Sequence, residues 1–562
     1  MKRRFDSIVA FFSYTVLTAV ATYPMLFRMG SSFPGSIAGD TPGTIWLTWW
    51  FKNAYRLHVS PAFAKTISYP YGIHISAMQV SPMQKWLLPW LSMATNEVFA
   101  YNLVVFASFP LAGLGMYLLV KHITGNKGAA FASGLIFAFS PYQILESSLH
   151  LTLANIQWMP FYVLFLIKAY KDRDIKDSAL AGLFFSLNAL MDFHYGLFMA
   201  FFTAMFLAYK VAEALIERKV KDLGLDIRTL KAAVVFIIIC LVILGPSMYQ
   251  SMNRFQTGAV PSRPIEEIDL YSMKLWDLVI PPSTTPIVGP VIKKIAMQVY
   301  GQDRPYQPNY LGWLPLLLAA TGVVLARKES ITRFMAIFAV ASFILALGVF
   351  LKVDGVAIPL PWLWIHRFIP WVRVVSRFTV AVLLALSVLS GIALKSISDR
   401  IKTAQGKTAF FAVIIVLIVF EYSGMFNYPV VTFGDKGKTS LSSRVYEKVR
   451  TEKGDFSIIE YPMLYEPNQY IFMQRVHRKN LVNGVSNVAG DGYAAMTERL
   501  KTVDSVDLTD EQYKLLQRVS VKYILVHDME GFDARSFRRG NVGKHTRFIM
   551  YDKGVWLFEL IP

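Results

Sequence analysis

The sequence predicts a mainly α protein, a polytopic bundle of about eleven membrane-spanning helices with a small extracytoplasmic α/β domain at its C-terminus. Three observations predict it. Of 562 residues, 54% are hydrophobic and only 17% charged, against about 25% charged in ordinary soluble domains. With a mean hydropathy of +0.40, the chain carries more apolar surface than a water-soluble fold can hide. Second, apolar segments recur at roughly the ~20 residues needed to cross ~30 Å of hydrocarbon. Third, beyond residue 430 the composition becomes ordinary and strand-like runs begin.

The apolar segments lie near 8–27, 100–120, 128–143, 151–167, 178–191, 195–210, 232–250, 309–326, 334–351, 374–394 and 408–427. All should be helices, because lipid cannot satisfy backbone polar groups. "MKRR" before the first run looks like a signal peptide, but no small-x-small cleavage site follows, so it reads as an uncleaved span. The tail, 430–562, holds "FSIIEYP", "VKYILVH", "RFIMY" and "VWLFEL" as strand candidates and "DEQYKLLQRV" as a helix. The domains are therefore 1–429, within the membrane, and 430–562, outside it. Cys240 is the single cysteine, so no internal disulfide forms.

The net charge of +19 would indicate nucleic acid in a soluble protein. Here it is a topology signal. With the N-terminus in the cytoplasm, the connections 1–7, 121–127, 168–177, 210–231, 327–333 and 395–407 hold 22 Lys and Arg against 10 acids. Cytoplasmic loops of membrane proteins are enriched in Lys and Arg. The multi-pass chain then sits in the cell membrane with its tail outside, and no nucleic-acid partner is implied. Two outer loops are long, 28–99 and 251–308, which puts the working surface on the outer face.

Ionisable groups near the outer boundary are functional candidates, because they are costly there. Asp40 lies in "AGDTPGTIWLTWWFKNAYRLH". Pro42 suits a first helical position, making Asp40 or Thr41 an N-cap. The amphipathic helix that follows, with Trp46 and Trp49, is too polar to span and should lie in the membrane interface. Asp40 is either that helix's cap or a base or metal ligand facing an outer cavity. Glu146 and His150 are i,i+4 in "SPYQILESSLHLTLANIQW", sharing a face if helical; interhelical hydrogen bonding is the other reading. Asp192 and His194 sit in the short turn "LMDFHYG" and need partners: each other, a metal or a substrate hydroxyl. Arg373 and Arg377, also i,i+4, with Arg367 and His366 nearby, form either a phosphate clamp or headgroup-seeking side chains. No Walker loop, Cys-x-x-Cys or His-Glu-x-x-His occurs, and the glycine-bearing "NGVSNVAGDGY" is weak on its own.

These stretches, with "YPYGIHIS", "YNLVVFASFPLAGLGMYLL", "ALMDFHYGLF", "YLGWLPLLLA" and "IPLPWLWIHRFIPWVRVVSRF", resemble the polytopic, lipid-linked-sugar glycosyltransferases of the GT-C fold over roughly residues 10–395. The resemblance implies inverting transfer of a sugar from a polyprenyl-phosphate carrier to an extracytoplasmic acceptor (glycan, lipid or protein). It implies Asp40 as the base, in the first outer loop. Glu146, His150, Asp192 and His194 would bind the acceptor or a divalent metal such as Mg or Mn. Arg367, Arg373 and Arg377 would hold the carrier phosphate; Trp46, Trp49 and Tyr71 would stack on sugar. The chain lacks the Asp-Glu pair of better-known members in the first loop and their Asp-x-Asp in the second outer turn. The alternative function is a transporter or flippase of lipid-linked saccharides.

Overall fold

The computed structural model describes residues 2–561 except 76, 77, 79, 219–225, 257–261, 304–307, 354, 427–428, 434–439, 465–466, 486–488, 502–507, 530–531 and 533. Parts of the connection 210–231, the loop 251–308 and the "NGVSNVAGDGY" stretch thus lie outside the described residues. The chain divides into two compact units. The first comprises residues 1–23, 105–147 and 151–428; the second comprises 24–104, 148–150 and 429–562. Residues 28–99, expected as an outer loop, are therefore grouped with the tail.

The first unit is mainly helical, with a two-stranded sheet of Phe350–Val353 and Val356–Pro359. Six helices among the described residues are long and apolar enough to cross a membrane: Glu97–Thr124 (whose first turns count with the second unit), Lys127–Leu149, Phe193–Ile216, Ile227–Met252, Val375–Ser398 and Ala404–Met425. Phe5–Ala21, Trp313–Leu325 and Ser330–Ala346 are apolar but shorter. The sequence segment 151–167 is helical only from Trp158, within Trp158–Asp172. Among the described residues six helices thus qualify by length and composition where the sequence predicts about eleven spans, and several of the other apolar helices are shorter.

Thr379–Ser398 forms the core of this unit, buried on nearly every face. Such close packing requires small residues where helices cross, since lipid supplies no hydrophobic drive between helices. A Cβ at Gly322 would overlap the Leu389 carbonyl oxygen, and one at Gly134 would overlap the Tyr14 hydroxyl. Tyr14 donates instead to the carbonyl of Phe131 at 2.9 Å. Elsewhere Phe198, Phe202, Phe334, Phe338 and Phe378 interlock edge-to-face and tilted.

The second unit is built on a five-stranded sheet in the order Thr546–Asp552, Val555–Leu560, Val521–His527, Ser457–Tyr461 and Asn480–Leu481. The first two pairings are antiparallel and the last two parallel. Ile459, Tyr461, Ile524, Val526 and Phe558 form its core with Phe537 of the helix Ala534–Asn541. The four strand runs and the helix Asp510–Arg518 stand where the sequence places them. A short antiparallel pair joins the early segment to the tail: Ser32–Pro34 lies against Val430–Thr432.

The helix Asp40–Arg56 belongs to this unit and corrects one expectation. Its apolar face, with Ile45, Trp46, Leu47 and Phe51, is buried against the tail helix Asn468–His477. The face expected to enter the membrane interface is covered by protein. Lys52 near its end pairs with Glu97, and Arg475 of the tail helix pairs with the other oxygen of the same carboxylate at 3.1 Å. Lys52 and Glu97 are buried and the Arg475 side chain is nearly so, so each charge is compensated inside the unit, as burial of charge requires.

Candidate functional site

Among the described residues, the site residues that the sequence suggests gather at two places, one in each unit. In the second unit Asp40 opens its helix. The cap is Gly39, in extended conformation, not Asp40 or Thr41, and no side chain caps the helix. Pro42 falls in the first turn, where a missing N–H costs nothing. The Asp40 carboxylate sits where the helix dipole favours negative charge. Its side chain is 57% exposed and lies 3.6 Å from His150 Nε2. His150 follows the end of the helix Pro141–Leu149, so it does not share a helical face with Glu146.

The approach of Asp40 and His150 depends on Gly35. Its φ of +96° suits glycine, and a Cβ there would overlap the Ser148 carbonyl oxygen. The 148–150 segment thus packs directly against the turn before Asp40. Thr41 Oγ1 and Tyr101 Oη are 3.1 Å apart, which ties the same helical turn to the start of Glu97–Thr124.

In the first unit Asp192 stands between the helices Ile175–Met191 and Phe193–Ile216. Its Oδ1 accepts from the His194 backbone N–H at 2.9 Å and bonds His194 Nδ1 at 2.7 Å. Thr152 donates to Oδ2 at 3.1 Å. Arg377 Nη1 stands 3.5 Å from the same imidazole nitrogen, adding a cation to the pair. Burial alone raises a carboxyl. Here the His194 imidazole and the Arg377 guanidinium outweigh it and hold Asp192 below the usual carboxylate range, at about 2. Asp192 is therefore a fixed anion and a poor proton acceptor. The hydroxyl of Tyr195, the residue after His194, pairs with that of Tyr142 at 3.1 Å.

The structure brings together Asp40 with His150, and Asp192 with His194 and Arg377. It does not keep the arginine clamp. Arg373 precedes the short 3-10 helix Val375–Phe378, which contains Arg377, so the i,i+4 relation of an α-helix never forms. Arg373 turns to Glu267 at 3.7 Å and to the Tyr271 ring at 5.0 Å. Arg367 is exposed, and His366 Nε2 contacts the Arg263 carbonyl at 2.9 Å. Glu146 is buried within its helix. Trp46 cannot serve as a sugar platform: it is buried, packs on Trp50 and donates to Gln474 Oε1 at 2.8 Å. Trp49 is half-buried and Tyr71 exposed. Sequence reasoning missed Thr152, Gln474 and Arg475, whose partners lie 40 to 428 positions away; no local pattern marks such contacts.

Among the described residues no three of His, Cys, Asp and Glu gather as a site for the divalent metal that the resemblance implies, and at Asp192 a guanidinium stands close by.

The chain is similar in fold to solved structures at low identity. Archaeal oligosaccharyltransferase AglB from Archaeoglobus fulgidus, in complex with an inhibitory peptide and a dolichol-phosphate, matches at a TM-score of 0.52 and 14% identity, covering 93% of this chain and 70% of that one. The Archaeoglobus fulgidus oligosaccharyltransferase in complex with Zn and sulfate matches at 0.51 and 14%, covering 93% and 68%. ArnT from Cupriavidus metallidurans, bound to undecaprenyl phosphate, matches at 0.53 and 12%, covering 98% and 97%. No curated protein matches the sequence. The fold is therefore GT-C, as the sequence motifs imply. By a match across residues 12–423, the chain belongs to the family described as Domain of unknown function (DUF6311).

Proposed function

We propose that the chain is an integral-membrane glycosyltransferase that moves a sugar from a polyprenyl-phosphate carrier to an extracytoplasmic acceptor, with inversion. The observation that carries this reading is the exposed Asp40 carboxylate held beside His150 at a helix start, in a chain of GT-C fold. Two solved neighbours hold dolichol-phosphate and undecaprenyl phosphate respectively, which supports an anionic lipid carrier. The fold shared with an oligosaccharyltransferase supports a transferase over a transporter.

In the proposed reaction Asp40 accepts the proton of an acceptor hydroxyl as its oxygen attacks the anomeric carbon. The bond from that carbon to the phosphate oxygen breaks, and the carrier leaves with the electron pair. A single displacement inverts the centre. A positioned base contributes about 10²–10⁴-fold. Arg377, steered by His194 and Asp192, offers its guanidinium to the carrier phosphate. Asp192, held ionised, accepts hydrogen bonds and takes no proton. Tyr71 is the exposed ring available for sugar stacking. The N-terminus lies in the cytoplasm and the tail outside.

The test uses purified protein and a panel of undecaprenyl-phosphate-linked hexoses. Asp40→Asn abolishes transfer and keeps affinity for undecaprenyl phosphate; full transfer in that variant refutes Asp40 as base. Arg377→Ala weakens undecaprenyl phosphate binding by about tenfold or more, in line with the ~1.5–3 kcal/mol of a charge-assisted hydrogen bond; unchanged affinity removes Arg377 from the carrier site.

A further inference from the structure

We infer that the tail helix Asn468–His477 sets the position of Asp40, with Asn468 as the positioning residue. The inference rests on the assignment of Asp40 as the base. It gives the tail a part in the chemical step, distinct from acceptor recognition.

Three polar ties join Asn468–His477 and its surroundings to Asp40–Arg56, spaced along the pair. At the far end Lys52 and Arg475 share Glu97. In the middle Trp46 Nε1 donates to Gln474 Oε1 at 2.8 Å, and Gln474 Nε2 donates onward to the Thr66 and Lys479 carbonyls at 2.5 and 3.2 Å. Trp46, Gln474, Lys52 and Glu97 are buried, and these two ties fix the helices as bodies. The third is different. Asn468 Nδ2 donates to the carbonyl oxygen of Gly39 at 3.2 Å, one residue before Asp40. That carbonyl belongs to the cap residue, which has extended dihedrals and no side-chain cap of its own, and whose C=O takes the first bond of the helix.

Gly43 makes room for this contact. A Cβ there would stand 2.7 Å from Asn468 Oδ1, so any larger residue displaces the amide. The side chain of Asn468 thus spans the first turn, from Gly39 to Gly43, with Asp40 between them in sequence. Gly35 and the Ser148 carbonyl press on the same turn through the chain that carries His150. Removing the amide leaves both buried ties intact and frees the turn that aims the carboxylate. A displacement of about 1 Å at a reacting group can cost ~10²-fold in rate.

The experiment compares wild type, Asn468→Ala, Gly43→Ala and Asp40→Asn by steady-state transfer from undecaprenyl-phosphate-linked hexoses, with thermal unfolding and undecaprenyl phosphate affinity measured alongside. Asn468→Ala is expected to lower kcat by about ten- to a hundredfold, with KM, melting temperature and carrier affinity close to wild type. Gly43→Ala reproduces that kcat loss with Asn468 still present. A role in stability alone moves the melting temperature and leaves the kcat of the folded fraction unchanged, which overturns the inference. Wild-type kcat in Asn468→Ala and Gly43→Ala, with Asp40→Asn inert, overturns the positioning role and leaves the base assignment standing. Activity in Asp40→Asn overturns both.

Discussion

At the scale of single residues, burial decides which side chains are free for chemistry. Asp40 and Trp46 stand six positions apart on one helix, yet one is exposed and the other fully enclosed. His477 is a second enclosed group. Burial, with Lys479 nearby, pushes its imidazole down to about 3. Its Nδ1 accepts from the Lys479 backbone N–H at 3.1 Å, and its buried Nε2 has no hydrogen-bond partner among the described residues. The folded protein therefore holds this histidine neutral. The unfolded chain binds its proton near the ordinary value of ~6.5, so the stability it gives is complete above that pH and is lost as pH falls toward 3. Thermal unfolding between pH 7 and pH 4 should show a shallower loss of melting temperature in His477→Gln than in wild type; equal slopes contradict the assignment. Asp40, Asp192, His194 and Arg377 were all legible as candidates, because a charge beside an apolar segment is conspicuous. Their partners were less so. Asp192–His194 is local and readable, whereas Asp40–His150 spans 110 positions.

At the scale of elements, apolar run length found the helices and misjudged their ends. The arginine clamp failed for a local reason: Pro370 and the irregular residues after it delay the helix until Val375, so four-residue spacing does not place Arg373 and Arg377 on one face. The interface assignment of Asp40–Arg56 failed for a distant one. Amphipathicity reveals an apolar face and says nothing about what covers it; here a tail helix more than 400 positions later does so. Helix crossings rest on missing side chains. Gly322→Ala should force Trp313–Leu325 away from the Leu389 backbone and destabilise the protein by about 1–3 kcal/mol, the usual cost of overpacking. Unfolding in detergent measures it, and an unchanged transition contradicts the close crossing.

For the whole molecule, composition and charge were the most informative features. The +19 net charge marks orientation in the proposed topology, and the apolar excess appears as helices. The tail's strands were visible as alternating and apolar runs, but its parallel pairing of Ser457–Tyr461 with Val521–His527 was not, because parallel strands meet only through long crossovers. Nor did composition indicate that residues 24–104 group with the tail; that grouping arises from Ser32–Pro34, Asp40–Arg56 and Glu97 each finding partners beyond residue 429. The central claim is that this membrane protein transfers sugar with Asp40 as its base. It is tested most directly by measuring transfer from undecaprenyl-phosphate-linked hexoses and undecaprenyl phosphate binding in the same preparations of wild type and Asp40→Asn. The account predicts transfer by wild type, none above background by the variant, and equal carrier affinity in both. Wild-type transfer rates in Asp40→Asn would contradict it.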